Sequence, residues 1–187
     1  DGSANPTWIA ADLLSQAEHD PRAAVFLITP DKDFGLKVQA EMERQMKELS
    51  RYEIMKSSVD TYAKAFLCKD AAQCFDIVNK IAPEHLEVEL PDPKQYLPLI
   101  YNAGAIFLGK YTSEPIGDYM AGPNHTLPTS GTAAFSSPLE VYDFVKHSSV
   151  ECYTEEAFRK ISKKVQLFAK AEGLTAHANA MEVRDED

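Results

Sequence analysis

The stretch AAVFLITP, residues 23–30, decides the fold. It is a short, continuous apolar run, which is typical of a strand that is buried on both faces of a sheet. Asp20 and Pro21 precede it and end the first helix, because a residue before proline avoids the helical region. A long, charged amphipathic helix is predicted to follow at residues 31–49. A buried strand between two helices indicates an α/β protein.

The same alternation continues along the chain. Upstream, Asn5 is suited to be the N-cap of the first helix and Pro6 its first residue. Downstream, the sequence predicts strands at YAKAFLC (62–68), LEVEL (86–90) and AGAIFLG (103–109), and a helix at DAAQCFDIVNKIA (70–82). This order predicts a three-layer α/β fold, with helices flanking a mostly parallel sheet, as in an incomplete Rossmann-like domain.

The character of the sequence changes after residue 137. A helix is predicted from about Pro138, then a strand or extended segment at HSSVECYT (147–154), and then a helix at residues 155–173 that ends at Gly173. This helix carries an apolar stripe at helical spacing, formed by Phe158, Ile161, Val165 and Phe168. We therefore expect an α/β domain segment at residues 1–138 and, at 139–187, a small domain with a helical hairpin tail that packs on a partner subunit.

Composition excludes several classes of protein. The 187 residues carry a net charge of −10, which disfavours binding to nucleic acids and to anionic membranes. No apolar run approaches the ~18 residues that a membrane helix needs, and the first residues show no signal-peptide pattern. The three cysteines lack CxxC spacing, which indicates a reducing, cytoplasmic location. The opening DGSANP is a turn directly before a helix, so we expect the chain to come from a longer one.

One adjacent pair of residues suggests acid/base chemistry. In IAPEHLEVEL, residues 81–90, Glu84 and His85 follow a proline between a predicted helix and a predicted strand. Carboxylates and imidazoles are the most frequent general bases in enzymes. A solvated turn is the alternative for an isolated pair of this kind.

Other polar residues could bind a metal ion. Gln16 and His19 lie three apart in the first predicted helix and so share a face. Asp118 and His125 lie in a long segment that is rich in Gly, Pro, Ser and Thr, and long ordered loops are often functional. Each of these residues could instead be an exposed helix or turn residue.

The last predicted helix adds an imidazole. If Thr175 is its N-cap, His177 falls in the first turn, where the helix dipole favours the neutral form that a metal ligand requires. The carboxylate of Glu172 lies near the same junction. Together with the residues above, this suggests a metal set of nitrogen and oxygen donors that suits Zn²⁺, formed by Gln16, His19, Asp118 and His177.

Five stretches resemble one family, histidinol dehydrogenase, in the same order and at similar intervals. They are DLLSQAEHDP (12–21), IAPEHLEV (81–88), NAGAIFLG (102–109), GDYMAGPNHTLPTSGTAAFSSP (117–138) and AEGLTAHANA (171–180). The resemblance covers essentially all 187 residues. It implies oxidation of L-histidinol through L-histidinaldehyde to L-histidine, with reduction of two NAD⁺, by a zinc-dependent homodimer.

The resemblance also implies roles for individual residues. It makes Glu84 and His85 the catalytic acid/base pair. The implied zinc ligands are Gln16, His19, Asp118 and His177, and the implied substrate-binding residues are these four together with His85, His125 and Glu172. It further implies that His177 and Glu172 act across the dimer interface, in the site of the partner subunit.

The chain resembles only about the C-terminal half of the family. Its glycines form neither GxGxxG nor GxxxxGK[ST], so we expect no residue of this chain to bind NAD⁺ and expect that site upstream. Catalysis by the isolated chain is therefore not expected. Two alternatives stay open, a noncatalytic fragment that only dimerises and a zinc hydrolase in which Glu84 activates a metal-bound water.

Overall fold

The computed structural model describes residues 1–185, which divide into two compact units. The first unit spans Asp1–Phe144, and the second begins at Val145. The first unit contains, in chain order, α1 (Pro6–Ala17), β1 (Phe26–Thr29), α2 (Lys32–Met46), α3 (Tyr52–Tyr62), β2 (Lys64–Leu67), α4 (Ala71–Ile81), β3 (His85–Val88), β4 (Ala105–Leu108) and α5 (Glu114–Tyr119). The second unit contains α6 (Glu155–Ala171) and α7 (Thr175–Asp185).

The strands form two parallel pairs. β1 pairs with β2, with Phe26 opposite Lys64, and β3 pairs with β4, with His85 opposite Ala105. These parallel strands and their flanking helices confirm the predicted α/β class, although within residues 1–185 no ladder joins the two pairs into one sheet.

In the first unit, side-chain caps set the beginnings of three helices. Asn5 accepts a hydrogen bond from the backbone N–H of Thr7 at 2.9 Å, and Pro6 occupies the first helical position of α1. Asp31 caps α2 and Asp70 caps α4 in the same way. Each cap satisfies a backbone donor that the helix leaves without a partner, which stabilises it by about 0.5–2 kcal/mol.

Of the apolar clusters in the first unit, two join the elements that carry most of its polar candidate residues. One joins α1 to the second and third helices, and its buried members are Leu14, Ala17, Val25, Met46 and Met55. The other places α4 against β3 through Phe75, Val78, Leu86 and Val88. The clusters fix α1 and β3, the two elements that carry most of the polar residues discussed below.

The structure corrects three details of the sequence analysis. The predicted helix at 31–49 ends at Met46, and a separate helix, α3, follows it. The helix predicted from Pro138 is wrong, because this region forms only a short 3₁₀ turn at Val141–Phe144. Residues 147–154 form no strand. The apolar residues Val141 and Phe144 are 75% and 78% exposed, so they bury little surface that would stabilise a longer helix.

The second unit is a helical hairpin, as the sequence predicts. Gly173 has a φ of 77°, the left-handed conformation that glycine tolerates after a helix end. Between the helices, the buried Ser162 and Gln166 both donate hydrogen bonds to Asp185, at 2.8 and 2.7 Å. Of the predicted apolar stripe, Phe168 is 69% exposed in the chain. Polar contacts therefore join the two helices, and Phe168 adds little to their packing.

None of the helices within residues 1–185 is both long enough and apolar enough to cross a membrane.

The core predicts a large effect of truncation at Met55. This side chain is completely buried, so Met55→Ala should lower the free energy of unfolding by about 2–5 kcal/mol. Urea denaturation can be followed by the fluorescence of Trp8, which lies in α1 and is the only tryptophan. The control is Met120→Ala, since Met120 is 87% exposed and should change stability little. Equal losses in the two variants would contradict the assigned core.

Candidate active site

Strand β3 separates an apolar face from a polar one. Leu86 and Val88 are buried against α4, whereas His85 and Glu87 point to the opposite face. This follows from the alternation of side chains along a strand. The polar face of β3 meets α1 and α5, as the hydrogen bonds of His85 and Glu87 show.

Glu84 is held by tight backbone packing at the start of β3. Ala82 ends α4 in the left-handed conformation, with φ 49° and ψ 63°, and turns the chain towards Glu84. The backbone oxygen of Glu84 accepts a hydrogen bond from Ala105 N at 2.8 Å. A Cβ at Gly104 would lie 2.6 Å from that same oxygen, so only glycine permits this approach.

His85 is oriented by an amide. Its Nδ1 lies 2.8 Å from Oε1 of Gln16 on α1. Because an amide oxygen only accepts, Nδ1 carries the proton in the neutral imidazole and Nε2 keeps its lone pair. Burial lowers the pKa of His85, so the neutral form is favoured at neutral pH. The result is an imidazole whose Nε2 can accept a proton.

Two carboxylates of α5 lie near His85. Oε1 of the buried Glu114 is 3.8 Å from Nε2 of His85, and within residues 1–185 neither of these buried atoms has a hydrogen-bond partner. Asp118 lies one turn further along α5, and one ligand atom from each of His85, Glu114 and Asp118 lies within 4.8 Å of the others. Helix α5 reaches this position because Gly117 packs on the ring of Phe107, where a Cβ would lie 2.7 Å away.

His19 lies just beyond α1. The helix ends at Ala17, so Gln16 and His19 are not in one helix as predicted, and His19 lies in the turn that follows. Its backbone N–H donates to the oxygen of Gln16 at 3.3 Å, and its side chain is exposed. A positive charge on His19 would lower the pKa of Glu84 and of His85, which places it near both groups.

Glu84 has a perturbed carboxyl. Burial raises its pKa, and the nearby charge of Asp118 adds to that effect, whereas His19 opposes it. A raised pKa makes a carboxylate a stronger base. The pKa of Glu84 is therefore raised and that of His85 lowered. The first shift makes the carboxylate a stronger base, and the second keeps the imidazole neutral.

A buried carboxyl network supports α5. Oε1 of Glu87 accepts the backbone N–H of Glu114 at 2.8 Å, and Oδ1 of Asp12 accepts the hydroxyl of Ser113 at 2.8 Å. Burial, followed by the charge of Asp12, raises the pKa of Glu87 to about 8. Burial, followed by a hydrogen bond with Asp118, raises the pKa of Glu114 to about 7. The start of α5 is thus fixed to α1 and β3.

The remaining predicted site residues lie elsewhere in the chain. His125 is exposed in the loop after α5. Glu172 is the C-cap of α6 and His177 is in the first turn of α7, both exposed and both in the second unit. The first unit therefore brings together Gln16, Glu84, His85 and Asp118, and the roles of all the predicted site residues stay predictions.

The donors of the first unit fit a zinc ion. Gln16, His19 and Asp118 offer amide, imidazole and carboxylate donors, the types that Zn²⁺ accepts from N/O sites. Gln16 can serve although His85 bonds to it, because an amide oxygen has two lone pairs. Two ligands of one zinc ion lie at most ~4.2 Å apart, given bonds of 2.0–2.1 Å. In the cluster of His85, Glu114 and Asp118, one ligand atom from each residue lies within 4.8 Å of the others. Only Asp118 of this cluster is also a predicted zinc ligand.

Sequence reasoning missed Asp12, Glu87 and Glu114. A signal for two of them was present, since HLEVE alternates polar and apolar residues and Asp12 is four residues before Gln16, on the same helix face. Glu114 had no such signal, because its burial depends on how α5 packs on Phe107.

Comparisons with known proteins point to one family. The family model described as histidinol dehydrogenase matches residues 1–185. The histidinol dehydrogenase of Aquifex aeolicus (strain VF5) is 52% identical over 187 residues, which are all of this chain and 44% of that protein. That of Listeria monocytogenes serotype 4b (strain F2365) is 53% identical over the same length, again 44% of that protein.

A solved structure gives the same result. The crystal structure of histidinol dehydrogenase from Elizabethkingia anophelis is similar to this chain with a TM-score of 0.91 and 34% identity. The match covers 98% of this chain and 42% of that one. The chain thus spans less than half the length of the relatives that it matches.

The pKa of Glu87 predicts a pH-dependent stability. Its carboxyl has a model value of 4.5 and a folded pKa of about 8, so the folded state holds this proton more tightly than the unfolded state. The contribution of this group to the free energy of unfolding is fully present below about pH 4.5 and is lost as the pH rises towards 8. In Glu87→Gln, which preserves the hydrogen bond to Glu114, thermal unfolding from pH 5 to 8 should show a smaller decline. An unchanged decline would contradict the raised pKa.

Proposed function

Because this chain belongs to the histidinol dehydrogenase family, we propose that it supplies the metal-binding and acid/base part of a zinc- and NAD⁺-dependent histidinol dehydrogenase. The reaction is the oxidation of L-histidinol through L-histidinaldehyde to L-histidine, in histidine biosynthesis. The observation that carries the proposal is the half-buried His85, which is oriented by Gln16 and lies beside Glu84.

The proposed metal ligands are Gln16, His19 and Asp118 of the first unit and His177 of the second. Bound zinc would hold the substrate in a fixed orientation, as a Lewis acid with open positions. His125 and Glu172 are proposed to contact the substrate, together with His85 and the ligand residues. This assignment is supported by the donor types and by the proximity of Glu84, His85 and Asp118 in the first unit.

His85 is proposed as the base for both oxidations. Its Nε2 keeps a lone pair because Nδ1 donates to Gln16, and burial keeps the ring neutral. It can take the proton of the alcohol as hydride leaves the same carbon for NAD⁺. The buried Glu114, 3.8 Å from Nε2, would stabilise the imidazolium that forms. Glu114 is thus proposed to position and stabilise His85 rather than to touch the substrate.

Glu84 is proposed as the base that activates water. The aldehyde must add water before a second hydride can leave, and a carboxylate with a raised pKa is suited to take that proton. His85 then accepts a proton again in the second oxidation. The adjacent residues thus perform different deprotonations on one substrate.

The second unit is proposed to pack on a second copy of the protein. Its α6 exposes Leu167 and Phe168, at 72% and 69%, in this single chain. Exposed apolar side chains on one helix support an interface. In such a homodimer, His177 and Glu172 would complete the site of the partner subunit.

We place the NAD⁺ site outside this chain, because its glycines form no dinucleotide fingerprint. Catalysis then requires the remaining part of a family chain. We also propose a cytoplasmic location, which the three free cysteines support. The activity can be tested in a chimera, defined here as the Aquifex aeolicus relative with its matched stretch replaced by these 187 residues.

Glu84→Gln in the chimera should separate the two half-reactions. NADH formation from supplied histidinaldehyde should fall by about 10²–10⁴-fold, the usual contribution of a general base, while the oxidation of histidinol to the aldehyde changes much less. The matched variant His85→Gln should slow both half-reactions. Equal losses in both steps for Glu84→Gln would contradict its role, and metal-dependent hydrolysis without NAD⁺ would favour a zinc hydrolase.

His177→Asn in the chimera should lower the zinc content of the purified dimer, because it removes one proposed ligand. The control is His125→Asn, a proposed substrate contact, which should raise KM for histidinol and retain the zinc. Zinc can be measured by atomic absorption after dialysis. Full zinc content in His177→Asn would exclude His177 from the ligand set.

A further inference from the structure

Asn79 is a buried polar residue of α4 that lies five residues before Glu84 in the sequence. It is only 9% exposed. Its Nδ2 donates a hydrogen bond to the backbone oxygen of Leu99 at 2.8 Å. Its Oδ1 accepts hydrogen bonds from the backbone N–H groups of Tyr101 and Asn102, at 3.0 and 3.2 Å. One side chain thus binds three backbone groups of a single short segment.

This segment leads from a 3₁₀ helix at Pro93–Leu99 into β4. The side chain of Asn102 adds a fourth bond, because its Nδ2 donates to the backbone oxygen of Asn79 at 2.9 Å. Ile100 and Ala103 pack against the apolar cluster of α4 and β3. Apolar contacts have no direction, whereas hydrogen bonds do, so the four bonds fix where the segment lies along α4.

The chain beyond the segment bonds to the turn before β3. The backbone N–H of Gly104 donates to the oxygen of Pro83 at 2.9 Å, and that of Ala105 donates to the oxygen of Glu84 at 2.8 Å. One run of residues therefore bonds to α4 at one end and to the residues that follow α4 at the other. The two stretches of chain form a closed ring of hydrogen bonds, which begins at Asn79 and includes Glu84.

The turn inside this ring depends on support from its surroundings. Ala82 has a φ of 49°, in the left-handed region that is unfavourable for a residue with a Cβ. A backbone conformation of this kind persists where the structure around it holds it in place. The bonds from residues 104 and 105 supply that hold, and Asn79 fixes the run of chain that makes them.

The imidazole of His85 is held differently. Its Nδ1 bonds to Gln16, which lies on α1. The backbone of Glu84 is instead placed by the ring that starts on α4. The two adjacent residues are therefore positioned through different helices, so a change at Asn79 should affect one of them more than the other.

We propose that Asn79 is a positioning residue for Glu84, which it places by fixing residues 99–102 on α4. The inference rests on the proposed role of Glu84 as the base that activates water. Asn79 acts through the backbone and not on the substrate. Since a misplacement of about 1 Å can slow a reaction by about 10²-fold, its loss should slow the oxidation of histidinaldehyde more than that of histidinol. A residue that only stabilises the fold would not change this ratio.

The ratio of the two half-reactions in the chimera tests the proposal. Asn79→Leu keeps a side chain of similar size and removes its three hydrogen bonds. It should lower the rate of histidinaldehyde oxidation relative to histidinol oxidation by about 10-fold or more. Equal slowing of both half-reactions, or an unchanged rate of each, would overturn the proposal.

Ser58→Ala is the matched control. The completely buried Ser58 donates a bond of 2.8 Å to the backbone oxygen of Ala23, the same length as the bond from Asn79 to Leu99. Its loss should lower the stability of the first unit and leave the ratio of the half-reactions unchanged. A ratio that falls as far in Ser58→Ala as in Asn79→Leu would show a general effect of destabilisation and would overturn the proposal.

Hydrogen exchange separates this inference from the proposed function. In Asn79→Leu the amides of Gly104 and Ala105 should exchange at least about 10-fold faster, while that of Gly109, at the far end of β4, keeps its rate. Unchanged exchange of the first two amides would overturn the proposal. If they exchange faster and Glu84→Gln slows both half-reactions equally, the proposed chemistry of Glu84 fails and its positioning by Asn79 stands.

Asn102→Ala carries the test if Asn79→Leu does not fold. Asn102 is half-buried, and its truncation removes only the bond to the backbone oxygen of Asn79. The half-reaction ratio and the exchange of the Gly104 and Ala105 amides should change in the same directions as above, by smaller factors. No change in either measurement would overturn the proposal.

Discussion

The hydrogen bond between Gln16 and His85 is the contact on which the candidate site depends. It joins α1 to β3, two elements that are far apart in sequence, across 2.8 Å. Because the acceptor is an amide oxygen, the bond also decides which ring nitrogen of His85 carries the proton. Orientation of the imidazole and its capacity to act as a base thus have one physical cause.

The groups around this bond are held at a cost in free energy. Buried carboxyls disfavour their charged forms, and those of Glu87 and Glu114 have pKa values raised to about 8 and about 7. Ionisable groups with shifted pKa values concentrate at functional sites. The hydrogen bond that Glu87 accepts from the backbone N–H at the start of α5 offsets part of the free-energy cost of burying it. The same bond fixes α5, the helix that carries Asp118. Stability and function are therefore coupled at α5.

The sequence allowed prediction of much of the fold because local signals were strong. AAVFLITP, the cap at Asn5 and the glycine after α6 each act through a few adjacent residues, and each predicted element formed. The helix predicted from Pro138 did not form, and its apolar residues Val141 and Phe144 stay largely exposed, so little burial is available to stabilise it. The third helix was missed although Tyr52, Met55 and Val59 have helical spacing. Glu114 could not be found from sequence, because its burial arises from tertiary packing.

The tautomer of His85 tests the central claim most directly. The ¹⁵N chemical shifts of the imidazole ring distinguish a protonated from an unprotonated nitrogen, and they can be recorded on the isolated chain with the exposed His125 as a reference. The account predicts a neutral His85 at neutral pH with its proton on Nδ1 and a lone pair on Nε2. A proton on Nε2, or an imidazolium at that pH, would contradict it.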